Sequence, residues 1–295
     1  MNLHYKTKRW RIEWPTLALI LLCYLVWLSA LWLLPFPLGV IVAAVAIAFH
    51  SSLQHEAIHG HPFQSQRLND LIVAAPLTLV IPYARFAATH RAHHHDAVIT
   101  DPYDDPESNF MDPAIWDRLP AVVQFVLRLN NTLAGRLVLG PLIGTIGFGL
   151  SEWQHRTAQS RLDWALHLPA TAAVLALVAL SPMPVWAYLM AVWLGLALLK
   201  LRTFAEHQAH IRASGRSVII EDRGLLAFLF LNNNLHVVHH MHPSVPWYAL
   251  PALYHARRDH YLRRNGGYLF TSYAALFRQY LWRAKDPVPH PLRPR

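Results

Sequence analysis

The chain has 295 residues, of which 54% are apolar and only 15% charged, with a formal net charge of +9. A soluble domain carries roughly 25% charged residues, so this balance excludes an ordinary soluble protein and points into a membrane. The single cysteine, Cys23, excludes a disulfide framework and any centre built from several thiolates. The basic residues are scattered and accompany no recognition module, which excludes nucleic acid as a partner.

In chain order, the first apolar stretch is 14–34 and the second 38–52, separated by Pro35-Phe36-Pro37. A hydrocarbon core needs about 20 largely apolar residues, so both are predicted spans. No small-residue cleavage site follows the first, and no cleaved signal peptide is expected. The segment 69–88 is apolar but broken by Pro76 and Pro82, which predicts an embedded or interfacial piece and not a full span. A further apolar piece, 137–150, carries four glycines and one proline and is expected at the membrane interface, with a re-entrant segment as the alternative. Stretches 164–180 and 185–201 are the third and fourth predicted spans, joined by Ser181-Pro182-Met183-Pro184. Both linkers are too short for anything but tight turns, so each pair reads as a helical hairpin. The basic, proline-rich 286–295 reads as a flexible tail on a single domain covering 1–295, with its core at 14–262.

Charge sets the orientation. Lys6, Lys8, Arg9 and Arg11 precede the first span, Arg156 and Arg161 the third, and Lys200 and Arg202 close the fourth, while the short turns carry no charge. The positive-inside rule then places both termini and the loop 53–162 in the cytoplasm. The charge also suits anionic lipid headgroups, and a docking surface for an acidic electron carrier is a sharper reading of it.

Three histidine clusters fall on that one side: His55-Glu56-Ala57-Ile58-His59, His90-Arg91-Ala92-His93-His94 and His236-Val237-Val238-His239-His240. Positions i, i+3 and i+4 of a helix are neighbours, so each cluster is expected to aim its rings in one direction. Neutral imidazole is the commonest side-chain metal ligand. A zinc site takes about four protein ligands at most, so these eight histidines are too many for one metal and suit two. His55 to His59 alone matches the H-E-x-x-H pattern of zinc proteases, in which the glutamate is general base. That reading leaves the other two clusters without a purpose. A metal transporter is disfavoured because its ligands lie at mid-membrane in broken helices, whereas these clusters lie at or beyond the span ends. Histidines serving only as caps or surface groups would not be expected to gather in this way.

The order H-x-x-x-H, H-x-x-H-H and a late H-x-x-H-H around four spans resembles the integral-membrane fatty acid desaturase and hydroxylase superfamily. The second box runs on to Asp101-Pro102-Tyr103-Asp104-Asp105-Pro106-Glu107, like the family's acidic stretch. The third is followed by Pro243-Ser244-Val245-Pro246-Trp247, like its proline-rich exit. The resemblance implies an all-α membrane protein with about four transmembrane helices in two hairpins and a cytoplasmic helical cap carrying the boxes. It also implies a non-haem diiron enzyme that uses O₂ to attack an unactivated C–H bond.

The metal ligands carried over are His55, His59, His90, His93, His94, His236, His239 and His240, with His207 as ninth and His210 as its rival. Family members of the stearoyl type place an asparagine four residues before that histidine. This chain has Thr203 there, so such a site would have to come from Asn232 or Asn233. Metal-bound histidines donate their free N–H to carboxylates or carbonyls; Asp96, Asp101, Asp105, Glu152 and Glu206 are the expected carboxylates. His50, one turn before the first box, is a further histidine that could reach the site. The expected substrate is a lipid acyl chain reached from the cytoplasmic leaflet, with fatty acid desaturation first. Hydroxylation or ketolation of a carotenoid, alkane or similar hydrocarbon is the alternative. No cytochrome, flavin or iron–sulfur signature occurs, which implies an external donor of ferredoxin, rubredoxin or cytochrome type.

Overall fold

A computed structural model describes residues 12–94 and 98–293. Asp96 lies outside the described residues, as do His95 and the four basic residues near the start of the chain. The first hairpin is α1 (Trp14–Trp32) and α2 (Leu38–Ile58). Four shorter helices follow: α3 (Gln66–Ile72), α4 (Tyr83–His93), α5 (Pro113–Trp116) and α6 (Ala121–Asn130). Three long ones come next, α7 (Leu133–Gln154), α8 (Ala158–Ala179) and α9 (Val185–Ala205). The C-terminal part contains α10 (Leu225–Leu229), α11 (His236–Met241), α12 (Leu250–Ala256), α13 (Arg258–Arg264) and α14 (Tyr273–Tyr280). A two-residue parallel pairing joins β1 (Ile219–Ile220) to β2 (Leu269–Phe270).

Three of the four hairpin helices, α2, α8 and α9, are longer than their apolar runs. The second span continues six residues past Ser52, because its polar end is buried in protein and not in lipid. The third begins at Ala158, where Thr157 and Ser160 form a reciprocal capping box. At 21 residues, α2 and α9 are each about 31 Å long, enough to cross a hydrocarbon core of about 30 Å. They pack so closely that a Cβ on Gly195 would sit 2.8 Å from Ile47 Cγ2 and 3.0 Å from the Ala44 carbonyl. Gly195→Leu should force these two helices apart. The expected result is a loss of about 1–3 kcal/mol or more of stability together with bound metal, read from thermal unfolding in detergent and elemental analysis.

Five helices, not four, are long and apolar enough to cross a membrane, and α7 is the addition. Their ends separate them. The two hairpin turns lie together, with the Phe36 and Trp186 rings 5.5 Å apart, and the histidines gather at the opposite ends of α2 and α9. The first residue of α7, Leu133, packs with Leu201 and Phe204 in the last turns of α9. Its last turn places Glu152 on Arg85 of α4, at 2.8 and 3.0 Å, and on the Trp164 indole near the start of α8. Both ends of α7 therefore sit in the histidine-bearing half, and the helix lies across it. The same contacts give Glu152 to Arg85 and Trp164, not to a histidine as the sequence reading expected.

The embedded segment is where irregular backbone enters the bundle. Between α3 and α4 the chain leaves helical geometry, and side chains from the long helices take its carbonyls. Tyr24 bonds Ile72 O, Gln54 bonds Val73 O, Tyr188 bonds Leu77 O and His167 bonds Leu79 O, all at 2.8–3.0 Å. Non-helical backbone at membrane depth survives only where protein satisfies it in this way. From that depth α4 rises to deliver the second histidine box.

Candidate metal centre

Four elements bring nine histidines together. His55 sits in the last turn of α2 and His59 is its C-cap; His90 and His93 end α4, with His94 as its C-cap. His207 lies two residues past α9, and α11 begins at His236 and carries His239 and His240. They fall into two groups, His55, His59, His90, His94 and His239 in one and His93, His207, His236 and His240 in the other. Within each group the ligand nitrogens lie within 4.8 Å of one another. The two groups adjoin: the rings of His94 and His240 stack with centroids 4.3 Å apart.

The second and third boxes do not aim all their rings one way, as helical spacing alone suggested. In each, the i and i+4 histidines go to one group and the i+3 histidine to the other: His90 and His94 against His93, His236 and His240 against His239. On a helix, i+3 and i+4 are displaced to opposite sides of the line through i. Two adjacent centres can therefore share one H-x-x-H-H box.

The nitrogen spacing fits metal ions. Nε2–Nε2 separations are 3.1 Å for His59–His90, 3.0 Å for His94–His90 and 3.2 Å for His239–His94. In the second group they are 2.9 Å for His93–His207, 3.0 Å for His236–His207 and 3.1 Å for His240–His236. Metal–nitrogen bonds of about 2.1 Å at right angles put neighbouring nitrogens about 3.0 Å apart. His55 Nε2 is buried and makes no hydrogen bond among the described residues, a cost that a cation would remove.

The opposite ring nitrogens fix the tautomers. His93 Nδ1 donates to Asp105 Oδ1 at 2.8 Å and His90 Nδ1 to Glu107 Oε1 at 3.0 Å, which leaves each Nε2 free as a ligand. His236 Nδ1 donates to Asn233 Oδ1 at 3.2 Å, and Asn233 Nδ2 donates to Glu206 Oε1 at 2.7 Å. Burial and then the neighbouring His90 push His59 down to about 2. Burial and adjacent imidazoles also hold His94, His207, His236 and His239 well below the ordinary range, so these rings are neutral. His93 differs. Burial opposes its charge, but Glu107 and Asp105 outweigh burial and lift it to about 9. Burial likewise opposes the charge on Glu107, yet His90 and His93 hold that carboxyl well below its usual range. These carboxylates are arranged to hold positive charge, which a divalent metal supplies without a proton.

Several expected residues lie elsewhere. Asp101 caps the backbone of Tyr103 and Asp104 and pairs with Arg293. Asn232 donates to Trp247 O. His50 bonds Tyr24 at 3.0 Å and joins neither group. His210 is partly exposed, and its Nδ1 is engaged by the backbone of Arg212. The Thr203 hydroxyl is buried without a hydrogen bond among the described residues. The sequence reading assigned no role to Glu107, although the signal was its place in the acidic run after the second box. Glu56 accepts from the Trp247 backbone N–H at 3.3 Å, and its two histidine neighbours belong to a five-imidazole group. A zinc protease would use that glutamate as base beside a three-ligand metal, and this geometry argues against it.

No curated protein matches the chain significantly. The fatty acid desaturase family model matches residues 30–272, a stretch that contains all nine grouped histidines, α2 and the whole second hairpin. The chain belongs to the fatty acid desaturase family.

Proposed function

We propose that the protein is a membrane-bound, O₂-dependent diiron oxidoreductase that removes hydrogen from an unactivated C–H bond of a lipid acyl chain, as an acyl-lipid desaturase. The observation that carries this reading is the division of nine histidines into adjacent groups of five and four. Two iron ions held there would supply O₂ activation and redox chemistry that no side chain provides. His55, His59, His90, His94 and His239 would hold one ion, and His93, His207, His236 and His240 the other.

The remaining residues hold and orient. Asp105, Glu107 and Asn233 keep His93, His90 and His236 in the ligating tautomer. The four helix ends exclude water: all the grouped histidines are buried or half-buried. The site opens at the ends of membrane helices, which favours a substrate drawn from the adjoining leaflet. Positive-inside charge makes that leaflet the cytoplasmic one. Electrons would come from a separate protein of ferredoxin, rubredoxin or cytochrome type.

The test combines metal and product analysis. Protein purified without oxygen in mild detergent should contain two irons per chain. Cells carrying the intact gene should accumulate lipids that have lost two hydrogens per new double bond. Gain of one oxygen atom would reassign the activity to a hydroxylase. One zinc, no iron and peptide cleavage would overturn the diiron reading.

A further inference from the structure

A second apolar surface lies outside the hairpins, on the histidine-bearing half. On α6, Val122, Phe125 and Leu129 follow helical spacing on one side and face outward, with Val122 74% and Phe125 59% exposed. On α7, Val138, Leu142, Ile146 and Leu150 repeat every fourth residue and are all exposed. Leu281 and Trp282 join them: the Ala134 N–H donates to Leu281 O at 3.0 Å, and Trp282 is 81% exposed. Three separate segments thus present one apolar face. Exposed patches of this extent mark an interaction surface.

Its depth identifies the occupant. Leu133, at the junction of α6 and α7, packs against Leu201 and Phe204. Those residues close α9, whose length of about 31 Å matches the hydrocarbon core, so the junction is level with the boundary between headgroups and acyl chains. The rim is cationic and aromatic, as that boundary favours. Arg128 stacks on Trp116 at 5.3 Å and Arg156 on Trp153 at 4.5 Å, while Arg283 follows Trp282.

We propose that α6, the outer stripe of α7 and Leu281–Trp282 insert as one surface among the acyl chains of the leaflet on the histidine side. The inner side of this surface is tied to the metal centre. Lys285 N donates to Asn131 O at 3.1 Å, and Lys285 Nζ donates to His207 O at 2.8 Å. Insertion therefore sets the height of His207, and of the four-histidine group, above the lipid chains. The inference rests on the membrane reading of the chain and not on the identity of the metal.

The unaltered protein can be tested in lipid nanodiscs containing a phosphatidylcholine with a photoactivatable diazirine on its acyl chain. After illumination, trypsin releases 119–128 and 279–283, which are bounded by Arg118, Arg128, Arg278 and Arg283. Both peptides should carry lipid adducts several-fold above those in 259–263, from the polar α13. The long peptide carrying α1 and α2 supplies the membrane reference. Replacing Phe125 by aspartate and Trp282 by serine should lower labelling of 119–128 and 279–283 several-fold and leave the reference unchanged. Labelling of the reference with none in the two peptides would overturn the proposal, whether water, a second copy or another protein covers the face.

Discussion

Replacing His207 by alanine is expected to reduce turnover to background, whereas His210→Ala retains activity close to that of the unaltered protein. His207 Nε2 lies 2.9 Å from that of His93 and 3.0 Å from that of His236, at the centre of the four-histidine group. Removing it leaves three imidazoles and a gap on the side facing α9. His210 has its Nδ1 turned to the Arg212 backbone and lies in neither group. The measurements are product yield and iron per chain on both variants, with membrane expression as control. About one iron should be lost from His207→Ala and none from His210→Ala. Full activity in His207→Ala would leave eight histidines holding the metals and remove this residue from the site.

The second large effect is expected at Asp105. Its Oδ1 accepts from His93 Nδ1 at 2.8 Å and from Glu107 N at 2.9 Å, and Oδ2 accepts from Thr100 N at 2.8 Å. One buried carboxylate thus orients a ligand and shapes the loop that presents Glu107 to His90. Loss of such outer partners costs roughly 10–100-fold in metal affinity or activity. Asp105→Ala should fall in that range. It should also destabilise the loop, because unsatisfied buried N–H groups cost about 1–3 kcal/mol each. Asp105→Asn keeps one acceptor oxygen, enough for either Glu107 N or Thr100 N, and removes the negative charge beside His93. It should recover part of the unfolding midpoint and less of the metal affinity. If Asp105→Asn behaves like Asp105→Ala in both measurements, the residue supports the loop alone.

Much of this was legible from local pattern. Hydropathy located both hairpins, since a span must be apolar over its whole length wherever it sits in the bundle. The broken segment 69–88 was readable because proline ends helices irrespective of their surroundings. The three boxes were visible because metal coordination needs several imidazoles and helices repeat at i, i+3 and i+4. Tertiary structure decided what depends on partners distant in sequence. The apolar pattern of α7 permits a crossing, and only its contacts with α9 at one end and with α4 and α8 at the other lay it across the histidine half. Glu152 lies three residues before His155 and Asp105 eleven residues after the second box, so local sequence offers both as carboxylate partners for a histidine. Arg85 claims the first and His93 the second, because packing chooses among equivalent carboxylates by distance. The partition of histidines into five and four follows from where α11 docks against α2 and α4. His207 is held in a non-helical exit by the Gln208 N–H to Arg216 O bond and by Lys285, which is 78 residues away. Local sequence specifies which histidines a helix can offer; the crossing of four helix ends specifies which of the two groups each histidine joins.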